Sequence, residues 1–323
     1  MRLIELLALA VSFIVGVLLC PIFIPFLRKA KFGQYIREEG PEAHLKKSGT
    51  PTMGGIMILL AFGAGALIFA GSFPRVVPLV IGAVFFGLIG LCDDVLKITK
   101  RQSEGLKAWQ KFGLQIIVAV VMLLFIGLSP EYGTGTFVPF AGFFELGGWF
   151  YPIGFLAIMG TVNGANFTDG LDGLAGTVTI VIAMFFACAS VLLDGGLTPA
   201  ALAMLGSLLA FLIYNAYPAK VFMGDTGSLA LGGFVCGMAL MLKMPIFLII
   251  VAFVYLVEII SVILQVGYFK LTHGKRLFKM APIHHHFELC GWHEVRVVTV
   301  FAIVTFILCV IGFIGLYLAV LIH

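Results

Sequence analysis

Carboxylates stand where long apolar runs begin and end in this chain of 323 residues. Asp93 and Asp94 close one apolar run, and Asp225 lies in a Gly-Asp-Thr-Gly stretch just before another. Asp169 and Asp172 occupy a glycine-rich stretch between two further runs. Like charges this close together are costly unless a cation or a hydrogen-bond donor lies between them. These stretches therefore predict a site that handles a metal ion or an anion, with a polar cap on an emerging helix as the alternative for the glycine-rich stretch.

The two aspartate pairs differ in what their spacing allows. On a helical turn, Asp169 and Asp172 would share one face, with Cβ atoms about 5–6 Å apart. Adjacent residues point about 100° apart on a helix, so we expect Asp93 and Asp94 to face different neighbours and not to chelate one ion as a unit. We favour Asp93 as the group that faces the reaction and Asp94 as the group that orients Lys97.

Two other stretches carry groups suited to phosphate. Asp225 precedes the hydroxyls of Thr226 and Ser228 at the start of an apolar run. Its carboxylate either caps the helix or has a role in binding a metal ion or phosphate. Lys47 and Thr52 lie where a basic loop enters the next run. A loop that leads into a helix N-terminus is a common place to hold phosphate.

A run of three histidines stands in the last polar loop. His284, His285 and His286 are consecutive, so their side chains diverge and cannot all meet one metal, whose protein ligands are normally spaced. Contacts to phosphate or sugar fit such a run better. Upstream, Glu258, Ser261 and Gln265 lie on one face of an apolar run, which is either a buried polar seam or part of a substrate groove.

The composition places these groups in a membrane protein. The chain is 61% hydrophobic and 11% charged, whereas a soluble domain is about 25% charged, and its mean hydropathy is +1.13. Runs near the roughly 20 residues needed to cross a bilayer predict an all-α polytopic membrane protein that forms a single integral membrane domain, residues 1–323. The ten predicted spans are 3–27, 53–71, 76–92, 109–128, 149–164, 174–193, 199–217, 226–242, 245–270 and 296–321.

The distribution of basic residues orients the chain. With ten spans and the N-terminus outside, the loops on the cytoplasmic side and their flanks hold 17 of the 20 Lys and Arg residues, as the positive-inside rule requires. Both termini then lie outside. The aspartates and the histidine run all fall on the cytoplasmic face, where we expect the active site.

Several function classes are disfavoured. The sequence contains no Walker lysine motif and no Ser-His-Asp order, and an ion-coupled transporter would show internal repeats and charges at mid-membrane. A scaffold without catalysis would not need five clustered acids. Carboxylates, lysines and glycine loops suit Mg²⁺-assisted phosphoryl transfer. A site at the membrane edge suggests a lipid phosphate and a soluble phosphodonor as substrates, with no nucleic acid partner.

Four motifs together resemble one family. They are the Asp93-Asp94 pair, Asn-Phe-Thr-Asp-Gly-Leu-Asp-Gly-Leu-Ala from residue 166, Phe-Met-Gly-Asp-Thr-Gly-Ser from 222, and Pro-Ile-His-His-His-Phe-Glu from 282. They resemble the phospho-N-acetylmuramoyl-pentapeptide transferases, within the wider superfamily of polyprenyl-phosphate N-acetylhexosamine-phosphate transferases. The histidine run points to the muramoyl branch. A sibling transferase that uses UDP-N-acetylglucosamine would share most of the site.

The resemblance implies an activity and a setting. UDP-N-acetylmuramoyl-pentapeptide and undecaprenyl phosphate would react to give lipid I and UMP, with Mg²⁺ as cofactor. The protein would be a multi-pass homodimer of the bacterial plasma membrane.

The resemblance also implies roles for individual residues. The implied catalytic residues are Asp93, Asp94, Asp225 and His284, with Asp225 as the metal ligand. The implied substrate-binding residues are Lys47, Thr52, Lys97, Lys111, Asn166, Asp169, Gly170, Leu171, Asp172, Asn215, Phe222, Gln265, His285 and His286.

Overall fold

The computed structural model of the protein describes residues 5–29, 49–100, 102 and 104–322, and Lys47 lies outside these residues. The described chain is mostly helical, as predicted. Its helices are α1 (Leu6–Lys29), α2 (Gly55–Leu67), α3 (Val76–Lys100), α4 (Ala108–Leu128), α5 (Phe150–Thr168), α6 (Leu174–Leu192), α7 (Thr198–Asn215), α8 (Gly224–Met241), α9 (Leu248–Val251), α10 (Phe253–Leu271), α11 (Ile283–Leu289) and α12 (Glu294–Ile322).

Seven of the described helices are long and apolar enough to cross a membrane: α1, α3, α4, α6, α7, α10 and α12. The three remaining predicted spans correspond to α2, α5 and α8. Helix α2 has 13 residues, which at 1.5 Å per residue gives about 20 Å, less than the roughly 30 Å of the hydrocarbon core. The seven long apolar helices support a polytopic membrane fold. Because α2 is short, the count of ten spans stays a prediction.

Two features depart from a chain of uninterrupted helices. Strands β1 (Gly135–Val138) and β2 (Gly142–Glu145) pair antiparallel and form a hairpin between α4 and α5. The single span predicted over 245–270 is not one continuous helix. A 3₁₀ turn at Pro245–Phe247 and the short α9 come before α10, and Ala252 interrupts the helix between them. No Pro or Gly in the sequence marks the interruption at Ala252.

Helix α8 lies at the centre of the bundle and positions the site. It packs against α2, α3 and α5, and its residues from Thr226 to Met241 are all buried. Glycine permits this close packing, since a Cβ at Gly232 would lie 2.5 Å from the Cα of Val162 on α5. Helices α4 and α12 on the periphery expose rows of apolar side chains, as expected for surfaces that contact lipid.

Candidate active site

Three aspartates converge between the C-terminal part of α3 and the start of α8. One carboxylate oxygen from each of Asp93, Asp94 and Asp225 lies within 4.8 Å of the others. The convergence depends on how closely α3 approaches α8, because Gly90 packs directly on the backbone of Asp225 and Thr226. Asp93 and Asp94 face different neighbours, as expected, whereas the expectation that they do not chelate one ion stays a prediction, although their oxygens are close enough to share one. Their side chains diverge, but each still brings one oxygen to the same place.

Asp94 holds the N-terminus of α8. Its Oδ1 accepts a hydrogen bond from the backbone N–H of Asp225 at 3.2 Å, and its Oδ2 accepts from the N–H of Thr226 at 2.9 Å and its hydroxyl at 2.7 Å. A carboxylate at this position satisfies free N–H groups and meets the positive end of the helix dipole. Asp94 thus acts as a cap supplied by a neighbouring helix, and it keeps Asp225 beside Asp93.

Asp93 binds the lysine that we expected Asp94 to orient. Asp93 Oδ2 lies 2.6 Å from Lys97 Nζ, one helical turn away, and its Oδ1 accepts from the backbone N–H of Leu106 at 2.7 Å. The prediction that Asp94 orients Lys97 is wrong. Asp94 and Lys97, at i and i+3, could also meet on one face of α3, but both oxygens of Asp94 accept hydrogen bonds from the start of α8.

Asp225 is surrounded by donors on both of its oxygens. Lys97 Nζ and Lys111 Nζ approach Oδ2 at 2.7 Å and 3.0 Å, and Asn166 donates to Oδ1 at 2.7 Å. Lys111 also donates to the Asn166 side-chain oxygen at 3.1 Å. The structure therefore brings five of the sequence-predicted site residues into one hydrogen-bonded cluster with Asp94 at its edge.

The donor set of this cluster fits a hard divalent cation. Mg²⁺ prefers oxygen ligands and is usually held by one or two carboxylates together with substrate phosphates. Asp93 and Asp94 are both 3% exposed, so their charges need nearby cations. The ammonium groups of Lys97 and Lys111 supply this positive charge beside the carboxylates, close to where a metal ion would bind.

The glycine-rich stretch forms a turn and not the helical turn considered above. Asp169 follows the last residue of α5, and Gly173 adopts φ 77° just before α6. Asp172 accepts from the backbone N–H of Ala219 at 2.9 Å, and its own N–H donates to Glu294. Asp169 and Asp172 therefore serve different neighbours, and the shared helical face is wrong.

Asp169 has an unusual electrostatic environment. Burial is the main cause that raises the pKa of its carboxyl well above the usual range, and the charges of Asp225, Asp94 and Asp172 raise it further. A hydrogen bond from the backbone N–H of Gly224 opposes this shift. The carboxyl thus lies close enough to the acid cluster to respond to its charge.

Backbone segments on the other side of the cluster are tied together. Asn215 accepts from the N–H of Gly173 at 3.2 Å and donates to the carbonyl of Val221 at 2.9 Å. Phe222 is half-buried, and its N–H donates to the carbonyl of Pro51 at 2.8 Å. The buried hydroxyl of Thr52 lies near Gly224, because a Cβ on that glycine would be 2.8 Å from it.

The histidine run occupies α11, and its members have different surroundings. His284 is fully buried, with Nδ1 3.0 Å from Glu258 Oε2, and its ring lies against Gly170. His285 pairs with Glu288 at 2.7 Å. His286 accepts from the N–H of Lys279 at 3.1 Å. Of the three, His284 reaches the loop that borders the acid cluster.

Two residues assigned to substrate by resemblance have structural partners in the fold. The Gln265 amide accepts from the backbone N–H groups of Leu277 and Phe278 and donates to the Phe278 carbonyl. Leu171 is 4% exposed and belongs to the hydrophobic core. Gln265 therefore shapes the loop before the histidine run, and Leu171 anchors the glycine-rich turn.

Two acids support the site although the sequence gives them no definite role. Glu258 lies on a polar face whose role the sequence leaves open, although an acid within a membrane span is a functional signal in itself. Glu294, which accepts a hydrogen bond from the N–H of Asp172, is not among the predicted site residues, and nothing in its surrounding sequence distinguishes it from an ordinary first residue of a helix.

Comparison with known proteins identifies the family. Residues 76–243 match the family described as Glycosyl transferase family 4, and residues 47–59 match phospho-N-acetylmuramoyl-pentapeptide-transferase signature 1. Proteins named phospho-N-acetylmuramoyl-pentapeptide-transferase from Clostridium novyi (strain NT) and Clostridium botulinum (strain Alaska E43 / Type E3) are each 50% identical to this chain. The alignments cover 95% and 96% of the chain and 95% of each relative. A protein of the same name from Acetivibrio thermocellus is 46% identical over 95% of this chain and 94% of its own length. The chain belongs to the phospho-N-acetylmuramoyl-pentapeptide-transferase family.

Proposed function

We propose that this protein transfers phospho-N-acetylmuramoyl-pentapeptide from its UDP-linked donor to undecaprenyl phosphate, giving lipid I and UMP. The observation that carries the proposal is the convergence of Asp93, Asp94 and Asp225 with Lys97 and Lys111 at the ends of apolar helices. Phosphoryl transfer relies on such positioning and charge neutralisation. Family membership selects the substrates, and the apolar helices fit a multi-pass protein of the bacterial plasma membrane.

Asp225 is the first candidate to hold Mg²⁺, with an oxygen of Asp93 or Asp94 beside it. Bound Mg²⁺ would neutralise charge on the donor phosphates. The buried oxygen donors of the cluster support this assignment. Lys97 and Lys111 then offer their ammonium groups to the oxygens of the donor diphosphate and of the leaving UMP, and Asn166 orients Asp225.

Asp93 accepts the proton from the lipid phosphate, and Asp94 positions α8. The two oxygens of Asp94 already accept three hydrogen bonds from the start of α8, whereas Asp93 accepts one from the backbone N–H of Leu106 and pairs its other oxygen with the partly exposed side chain of Lys97. A phosphate monoester has a second pKa near 6, so it is largely dianionic at neutral pH. The base matters where desolvation at the membrane edge raises that pKa.

The donor lies against the loops that flank the cluster. Asp169, Gly170 and Asp172 on one loop and Asn215 and Phe222 on the other surround the nucleoside and sugar, and Phe222 stacks on uracil. Thr52, His284 and His285 lie at the margin of this pocket, and Lys47, which is outside the described residues, is a further candidate contact. The hydrogen bonds of Asn215 to Gly173 and Val221 support this arrangement because they fix the spacing of the two loops.

An apolar cleft of about 280 Å³ opens between α5 and the interrupted α9–α10 segment. Its lining includes Leu156, Gly160, Ile249 and Tyr255. Tyr255 packs against Gly164 on α5, a residue close in sequence to Asn166. The cleft therefore offers a place for part of the lipid chain of undecaprenyl phosphate while its phosphate reaches the cluster.

Release of UMP tests the function directly. Purified protein in detergent with undecaprenyl phosphate and Mg²⁺ is expected to release UMP from UDP-N-acetylmuramoyl-pentapeptide and not from UDP-N-acetylglucosamine. Asp225→Asn is expected to abolish release. Asp194→Asn makes the same chemical change at an exposed position with φ 48°, a conformation that Asn tolerates, and should behave as wild type. Wild-type protein without UMP release, or Asp225→Asn with an unchanged rate and Mg²⁺ dependence, contradicts the proposal.

The order of chemical steps has its own test. Direct attack by the lipid phosphate on the β-phosphate of the donor gives no UMP without acceptor and inverts the configuration at the transferred phosphorus. An aspartyl intermediate instead gives one equivalent of UMP per enzyme without acceptor. With Asp93 as the base, Asp93→Asn should also remove the acidic limb of log kcat against pH. A homodimer, which the family resemblance implies, is tested by native mass spectrometry in detergent.

A further inference from the structure

Glu258 is a buried acid inside a helix that is long and apolar enough to span the membrane. It lies on α10 and is 0% exposed. Its Oε2 is 3.0 Å from Nδ1 of His284, which is also 0% exposed. Ionisable groups are expensive at such a position and usually mark function. The transfer reaction described above gives Glu258 no role.

Each member of this pair has one buried atom left over. Among the described residues, neither Glu258 Oε1 nor His284 Nε2 has a hydrogen-bond partner. A buried polar atom without a partner is costly, so a group from outside the described chain, such as a substrate or water, is expected to meet it. The pair is therefore more than a link between α10 and α11.

The free nitrogen of His284 faces the site. A Cβ on Gly170 would collide with the His284 ring, and its nearest neighbour would be Nε2. The preceding residue, Asp169, accepts a hydrogen bond from the backbone of Gly224, which adjoins Asp225 in the acid cluster. The ring therefore presents Nε2 to the loop that borders the reacting groups.

We infer that Glu258 is a positioning residue that fixes the ring orientation and tautomer of His284 and presents Nε2 to the donor substrate beside Gly170. The partner of one imidazole nitrogen decides which proton the other carries. By accepting the Nδ1 proton, Glu258 leaves Nε2 as the nitrogen that contacts substrate. This inference rests on the proposed transfer reaction and deepens it.

Kinetics and nitrogen NMR of Glu258→Gln test the inference. Glutamine keeps the size of the side chain, but its amide can donate to Nδ1 as well as accept from it, so the tautomer is no longer fixed. A carboxylate-to-amide change beside a catalytic histidine lowers kcat by up to about 10⁴-fold. We expect a loss of at least roughly 100-fold in kcat per folded protein, with the KM for the donor changed by less than about threefold.

The NMR measurement reports a property that a purely structural role would leave unchanged. In protein labelled with ¹⁵N-histidine, the His284 signal, assigned by its loss in His284→Gln, should show a protonated Nδ1 in wild type and an altered pattern in Glu258→Gln. Ser261→Ala is the matched control. Ser261 is also buried on α10 and donates only to the backbone carbonyl of Glu258 among the described residues. It should leave kcat and the spectrum as in wild type.

The outcomes separate the inference from the function. A Glu258→Gln protein with the wild-type kcat, or one with low kcat and an unchanged His284 spectrum, overturns the positioning role. Wild-type protein that releases no UMP overturns the transfer reaction, and the spectrum alone then decides whether Glu258 holds the ring. Where Glu258→Gln does not fold, Glu258→Asp replaces it. The shorter acid keeps the charge but withdraws from Nδ1, so both kcat and the spectrum should again change.

Discussion

Replacing Gly90 with alanine perturbs the site without touching a charged or polar side chain. Gly90 lies on α3 where that helix meets the start of α8. A Cβ there would be 2.5 Å from the backbone nitrogen of Thr226 and closer still to the carbonyl group of Asp225, whereas ordinary contacts are 3.4–4 Å. The obstacle is backbone, so no side chain can rotate away. The start of α8 must move by at least roughly 1 Å to reach an ordinary contact.

That displacement moves Asp225 away from Asp93 and Asp94. A misplacement of about 1 Å at a catalytic centre can cost about 10²-fold in rate, or roughly 2.7 kcal/mol of transition-state stabilisation. Overpacking also destabilises folded proteins by about 1–3 kcal/mol. We therefore expect Gly90→Ala to lower kcat about a hundredfold in protein that still folds, as measured by UMP release per folded molecule in detergent.

Gly82→Ala is the matched control on the same helix. A Cβ at Gly82 would meet only the end of the Met122 side chain, at 3.8 Å, and alanine is favoured over glycine in a helix by about 1 kcal/mol. This variant should keep wild-type kcat and unfold at an equal or higher temperature. Wild-type kcat in Gly90→Ala would refute the argument that close backbone packing sets the acid cluster. An equal loss in Gly82→Ala would show that any substitution on α3 is harmful.

Three further predictions concern the loops around the cluster. Gly170→Ala should lower kcat sharply because its Cβ collides with His284, while Gly176→Ala, whose Cβ has an ordinary 3.8 Å contact, should not; similar kcat values would contradict this. Phe222→Ala should weaken donor binding roughly tenfold or more if the ring stacks on uracil, a contact worth about 1–3 kcal/mol, and an unchanged calorimetric Kd would exclude stacking. The pKa of Asp169 is raised in the folded protein, so its ionisation costs stability as pH rises above the unfolded value near 4. In chelator, the thermal midpoint of Asp169→Asn should exceed that of wild type increasingly above about pH 5, and parallel curves would contradict this.

Local sequence features predict the membrane fold and the membership of the acid cluster. Apolar runs mark helices because a bilayer-spanning segment must satisfy its own backbone hydrogen bonds. Asp93 and Lys97 share a face because they are one helical turn apart. The sequence therefore shows which groups a helix end carries, and the structure brings Asp225 to them through the contact of α3 with α8.

The sequence-based predictions fail where the hydrogen-bond partners of a residue come from distant segments of the chain. The assignment of Lys97 to Asp94 failed because Asp94 caps α8, whose first residues are more than 130 positions away. The spacing of Asp169 and Asp172 suggested a helical face, but Gly173 adopts a positive φ and the segment turns. Glu258 and His284 are 26 residues apart, and their pairing depends on how α11 folds back onto α10. Such tertiary contacts leave no periodic signal in a single sequence.

We expect the charge balance of the cluster to couple the binding of Mg²⁺ to the binding of the donor. Asp94 is compensated by the N-terminus of α8, which leaves two aspartates facing Lys97 and Lys111. Both lysines approach Asp225 Oδ2, so we expect a metal ion that binds this oxygen to displace them. The donor diphosphate offers the two lysines new oxygens, which lowers the free-energy cost of moving them away from Asp225.

We therefore expect UDP to increase the affinity for Mg²⁺ and Mg²⁺ to increase the affinity for UDP by the same factor, about 5- to 150-fold for a typical coupling. Lys111→Gln removes one competing ammonium group and should tighten Mg²⁺ binding without UDP while reducing the coupling. Calorimetric titrations that give the same Mg²⁺ affinity with and without UDP would show that the lysines do not compete with the metal for Asp225.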